Sequence, residues 1–197
     1  MRKRQTLSER LIGQGWIAAL AMALMVVLSL FDPLHDPLTQ HMSEIIDGSW
    51  WSAIAIRVLP TLAGVSIVIF GLGCWGRGGF WTGLTSALFG AAMVSNGVIP
   101  TGSPWHGLYG LAVFSVLVPA CFAAEFPVGG GLRWLSLGVA FAGLIYMWAL
   151  VFVGLDPPEY RGVTQRVFSL IAFGWFAIAA RVRIWNEGLF LPKSRIS

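Results

Sequence analysis

A chain of 197 residues that is 56% hydrophobic and only 11% charged, with 24 glycines and 10 tryptophans, lies outside the composition of water-soluble domains. An ordinary soluble enzyme is therefore excluded. The net charge of +4 arises from basic residues scattered over the termini and short connections, so it calls for no nucleic-acid partner.

Six apolar runs, at 11–31, 50–71, 80–99, 105–125, 132–155 and 164–183, are each about 20 residues long and would span about 30 Å as helices. They predict an all-α integral membrane bundle of six transmembrane helices, forming a single domain over 1–197. Ten basic residues fall before the first run, in two turns or at the chain end, against three (Arg57, Arg161, Arg166) on the opposite side. The positive-inside rule then puts both termini in the cytoplasm of a cell whose inner membrane the chain crosses. Cys74 and Cys121 fall near cytoplasmic helix ends, where no disulfide is expected.

Thr6-Leu-Ser-Glu9 has capping-box spacing and predicts the start of the first helix. This run is too long for a secretory signal and is read as a retained helix. Gly15, Ala19 and Ala23 recur every four residues, a small-residue stripe that suits close helix packing in lipid. The loop that follows, 32–49, is the most polar stretch of the chain and holds His35, His41, Asp36 and Glu44. Two Asp-Pro turns open it, and Ile45-Ile46 is expected to dip into the membrane interface.

Trp50 and Trp51 anchor the second helix, and Arg57 lies about two turns deeper. A charge at that depth costs on the order of 3 kcal/mol unless it is paired or reaches water, so Arg57 is expected to extend back toward the outer mouth. The third run carries Gly83, Ala87, Ala91 and Ser95 at four-residue spacing, a second packing stripe, and ends with Asn96 near the same mouth. Pro100 and Pro104 then break the chain, which places His106 on the first turn of a fourth helix. A helix N-terminus would keep that imidazole neutral. Glu125 is expected to pair with Arg133 across the next cytoplasmic turn. Gly138 and Ala142 form a third stripe on the fifth run, and Gly162-Val-Thr-Gln165-Arg166 opens the sixth.

Three separated stretches carry a resemblance. Asp36-Pro-Leu-Thr39, Ile99-Pro-Thr101 with Trp105-His106-Gly107, and Gly162-Val-Thr-Gln-Arg166 together resemble the multi-pass membrane family catalogued as domain of unknown function 998. The resemblance extends over nearly the whole chain and implies a membrane bundle with no established activity. It also implies an Asp soon after the Pro-Thr and a second His one turn after the first. Gly102 or Ser103 and Gly110 stand there instead, which weakens a two-histidine metal site.

The polar residues therefore converge on one face. Arg57, Asn96, His106, Gln165, Arg166 and Asp36 are expected to line a mouth for an anionic lipid headgroup, with Arg57, His106 and Arg166 close together and an acid, Asp36 or Asp156, among them. A second expectation uses His35, His41 and His106 as zinc ligands for hydrolysis of a lipid ester or amide. A third is a structural or assembly subunit whose Gly/Ala stripes pack a membrane-protein partner.

Overall fold

A computed structural model describes residues 5–47, 49–100, 103–108, 111, 113–150, 154 and 157–181, and every regular element among them is helical. Its α-helices are α1 (Leu7–Gly13), α2 (Gly15–Phe31), α3 (Trp50–Trp75), α4 (Phe80–Val98), α5 (Phe114–Glu125), α6 (Gly130–Trp148) and α7 (Arg161–Arg181). Short 3-10 turns occupy Met42–Asp47 and His106–Leu108. Thr101, Gly102, Gly110 and Asp156, and the basic residues at 2–4, 183, 193 and 195 on which part of the topological reading rests, lie outside the described residues.

The expected capping box is present: the Thr6 hydroxyl accepts the Glu9 N–H at 3.3 Å, and the Glu9 carboxylate accepts the Thr6 N–H at 2.9 Å. The helix that starts there is broken at Gln14. Ser66 of α3 causes the break, because its hydroxyl donates to the Gln14 carbonyl at 2.8 Å and accepts the Ala18 N–H at 3.1 Å. It thereby replaces one rung of the helix ladder.

Counted through that break, Leu7–Phe31 has 25 residues, and with α3, α6 and α7 it makes four segments long and apolar enough to cross a membrane. The chain is a multi-pass membrane protein. α4 has 19 residues but buries Thr82, Thr85, Ser86 and Ser95, which dilute its apolar character. Of the fourth expected run, the described regular α-helix is Phe114–Glu125, 12 residues.

α3 and α4 form the tightest antiparallel pair. A Cβ built on Gly64 would lie 2.5 Å from the Gly90 carbonyl oxygen, one on Gly71 2.9 Å from that of Gly83, and one on Gly97 2.4 Å from that of Arg57. The contact therefore recurs every seven residues along both helices, at Arg57, Gly64 and Gly71 against Gly97, Gly90 and Gly83. This corrects the expected four-residue stripe on α4, from which Ala91 points outward. The register holds Arg57 beside the end of α4.

The buried core runs from Met42 and Ile45 at the loop end to an aromatic cluster toward the opposite end of the bundle. Phe70 meets the Phe176 ring edge-on at 5.2 Å and Trp175 at 6.0 Å, while Trp175 meets Phe122 at 5.2 Å. Each such pair adds about 0.5–1.5 kcal/mol beyond its burial. At the same end Arg77 pairs with Glu9 at 2.6 Å. Glu125 does not pair with Arg133 as expected. Its carboxylate accepts the Trp81 and Thr82 N–H groups, each at 2.7 Å, and so caps α4, whose first N–H groups have no partners within the helix.

Candidate functional site at the loop end

The 32–47 segment folds down onto the start of α7. Asp32 ends α2 and fixes the loop's entry: its carboxylate accepts from the Leu34 and Ser49 N–H groups at 2.9 and 3.1 Å and from the Ser49 and Ser52 hydroxyls. Burial alone would raise its pKa, but these hydrogen bonds outweigh burial and hold the carboxyl below its ordinary range. Asp36 accepts from Thr39 Oγ1 and the Leu38 N–H, which closes the next turn and likewise lowers its pKa. The Met42–Asp47 turn then buries Met42 and Ile45 against the bundle. Ile45 does not dip into the membrane interface as its sequence implied.

Arg166 is the centre of this clasp. Its Nε donates to Ser29 at 2.9 Å, and Nη1 to the carbonyls of Pro37, Gln40 and Gly162 at 2.8, 3.1 and 2.7 Å. Nη2 lies 2.7 Å from His35 Nε2. A guanidinium can only donate, so His35 accepts and is neutral in this contact. Burial, reinforced by the Arg166 charge, holds the His35 pKa below its ordinary value against the pull of Asp32, Glu44 and Asp36. Neighbouring residues of α7 complete the fastening. Gln165 Oε1 accepts the Met42 N–H at 2.7 Å, Gly162 N–H reaches the Leu38 carbonyl at 2.9 Å, and Arg161 pairs with Glu44 at 3.0 Å.

A separate cavity opens between α3, the end of α4 and the His106 turn. It is small, with room inside for about one water molecule, is open at its mouth, and is lined by Ile56, Arg57, Asn96, Gly97, Val98, Ile99, Pro100 and His106. His106 is buried, and its Nδ1 donates to the Ile99 carbonyl at 2.7 Å. It opens a 3-10 turn, His106–Leu108, and not the α-helical turn that the prolines had implied, with Gly107 and Leu108 at positive φ of 69° and 40°. Gly107 is needed there twice over, since a Cβ would also sit 2.5 Å from Asn96 Oδ1. Arg57 is exposed, and among the described residues no hydrogen bond or ion pair reaches its guanidinium.

A family profile described as protein of unknown function (DUF998) matches residues 16–182, most of the chain. The chain belongs to that family. No curated protein and no solved structure matches it. In this DUF998 member, two of the three stretches that carried the resemblance close on each other: the carbonyls of Pro37, Leu38 and Thr39 accept from Arg166, Gly162 and Arg161. The third stretch builds the cavity wall.

The expected site residues thus divide into two groups. Arg57, Asn96 and His106 share the cavity, while Arg166, Gln165 and Asp36 shape the clasp, and Arg166 is absent from the cavity lining. Among the described residues no three His, Cys, Asp or Glu side chains gather where they could hold a metal ion. His35 faces Arg166, and His106 faces the Ile99 carbonyl. Ser29 and Ser52 were missed by sequence reasoning. Their only signal was a hydroxyl next to a predicted loop, which is too common to single out.

Proposed function

We propose that this chain is a multi-pass protein of the cell membrane, with both termini cytoplasmic, that holds the anionic headgroup of a membrane lipid at its loop end through Arg57, Asn96 and His106. The observation behind this reading is Arg57 itself. It stands seven residues into α3, about 10 Å below the helix start, exposed between the exposed apolar Ile54 and Val58 and on the wall of a small, mostly apolar cleft that Asn96 and His106 share. A guanidinium there is stabilised by an anion at headgroup depth, and a fork of N–H donors suits phosphate oxygens. Asp36, Gln165 and Arg166 act by fastening the loop that closes the same end.

Native mass spectrometry of detergent-purified protein tests the reading. Anionic lipid is expected to remain bound and to be lost in Arg57→Gln with the fold intact. Wild-type protein that carries none, or a variant that carries as much, would refute it.

A second reading, packing of a membrane-protein partner, rests on α6. Only Ser136 and Gly143 of that helix are buried, and nothing lies within 4 Å of a Cβ built on Gly138. The Gly138 and Ala142 stripe is therefore open to another helix. Crosslinking from Ala142→Cys in native membranes checks it.

A further inference from the structure

We propose that the headgroup held by Arg57 at the open mouth of its cleft is a phosphodiester whose second alcohol is uncharged, of the glycerol or sugar type, in preference to a phosphomonoester or an ammonium-bearing headgroup. This rests on the headgroup reading above and names its chemical class.

Charge matching is the first argument. Arg57 is the one formally charged side chain among the eight lining residues, so the wall supplies a single positive charge. A phosphodiester carries one negative charge and is neutralised by it. A phosphomonoester carries about −1.5 to −2 near neutral pH, which leaves charge uncompensated against an apolar wall.

The missing counter-charge is the second argument. An ethanolamine or choline headgroup brings an ammonium alongside its phosphate, and among the described residues no carboxylate lines the cavity to receive it. Three described acids of the neighbouring loop are engaged elsewhere: Asp32 with Ser49 and Ser52, Asp36 with Leu38 and Thr39, and Glu44 with Arg161. An ammonium would therefore find no carboxylate among the described lining residues to pair with. A hydroxyl meets no such conflict. It both donates and accepts, as does the carboxamide of Asn96 on the same wall.

The depth of Arg57 and the exposed Ile54, Val58 and Leu62 along α3 provide an apolar surface for acyl chains, which favours a lipid over a free glycerol phosphate.

The experiment offers the full chain, in detergent micelles, equimolar phosphatidylglycerol, phosphatidylethanolamine, phosphatidylcholine and phosphatidic acid, and weighs the retained lipid by native mass spectrometry. Phosphatidylglycerol should exceed each of the others by about tenfold, one well-made polar contact. Arg57→Gln should abolish retention of all four. Asn96→Asp places a carboxylate in the cavity and should shift the preference toward phosphatidylethanolamine, an outcome that general loss of structure cannot produce. If retention depends on Arg57 but phosphatidic acid or an ammonium lipid equals phosphatidylglycerol, the class assigned here is wrong and the headgroup reading stands. If nothing is retained, or Arg57→Gln changes nothing, both fail. Displacement of the lipid by millimolar glycerol phosphate would reassign the ligand to a soluble anion.

Discussion

Adding one methyl group to Gly64 should separate the two helices that hold the cavity. A Cβ at this position would lie 2.5 Å from the Gly90 carbonyl oxygen and 2.7 Å from the Val94 nitrogen, both backbone atoms. No rotamer change can relieve them, so α3 and α4 must retreat by about 1 Å to reach ordinary contact. Overpacking of this kind costs about 1–3 kcal/mol, and the upper part of that range applies because the neighbouring contacts at Gly71–Gly83 and Gly97–Arg57 are loosened as well. The better helix propensity of alanine returns about 1 kcal/mol, which leaves a net loss near 2 kcal/mol for Gly64→Ala. Gly138→Ala is the matched control. Nothing lies within 4 Å of its Cβ, so only the propensity gain of about 0.5–1 kcal/mol remains, with the opposite sign. Unfolding in mixed micelles, followed by circular dichroism, should therefore place the two variants on opposite sides of wild type. A neutral Gly64→Ala, or a Gly138→Ala as damaging as it, would refute the packing argument.

The loop clasp should weaken on acidification. His35 is held below its ordinary pKa of 6.5, so its contribution is complete above that value. It is lost as pH falls below 6.5, by up to about 1.4 kcal/mol per unit, until the folded-state pKa is passed. Proteolysis or hydrogen exchange of residues 32–47 across pH 7.5 to about 5 reads this, and His35→Gln should flatten the profile. Arg166→Met should cost about 3 kcal/mol or more, since it strands buried carbonyls, and should expose the same loop to protease at neutral pH. Reporter fusions should place the 32–49 loop outside and both ends of the chain inside; a periplasm-active fusion at the C-terminus would invert the site. Metal analysis should find no stoichiometric zinc that His106→Ala removes, and finding it would restore the hydrolase reading.

Much of the helical scaffold was legible because apolar runs of membrane length, capping boxes and proline breaks are local signals. Thr6 and Glu9 are three residues apart, and the bond between them forms as expected. What escaped was settled between distant residues. The break at Gln14 depends on a hydroxyl 52 positions away, and nothing near Gln14 announces it. The glycines of α3 and α4 stand seven apart in each helix, but that spacing acquires meaning only in the antiparallel register that sets Gly64 on Gly90. Glu125 had a plausible partner nearby in Arg133. It went instead to the open N–H groups of α4, which offer two short hydrogen bonds in a fixed geometry where a surface ion pair offers little. The turn at His106 was not legible because prolines mark where a helix cannot continue, while the left-handed backbone at Gly107 makes its opening turn a 3-10 turn and not an α-helical one.

The two arginines of the loop end show why residue type alone did not reveal the site. Both are cations near a helix start, and both were expected in one mouth. Arg166 has a glycine four residues before it, and a Cβ on Gly162 would lie 2.8 Å from Nη1, so the absence of a side chain makes room for the guanidinium to turn back over its own helix. There it meets loop carbonyls, Ser29 and His35, which together satisfy its donors, and among the described residues no carboxylate is in contact with it. The position four residues before Arg57 is Ala53, and the exposed residues beside Arg57 on α3 are the apolar Ile54 and Val58. A saturated guanidinium has little left to offer a ligand, and its removal is felt by the fold. An exposed one at membrane depth does little for the fold, and its removal is felt by the ligand. Arg166→Met should therefore lower stability whether or not lipid is present, whereas Arg57→Gln should change it only when anionic lipid is added. Equal responses of the two variants in lipid-free detergent would show that Arg57, too, is structural.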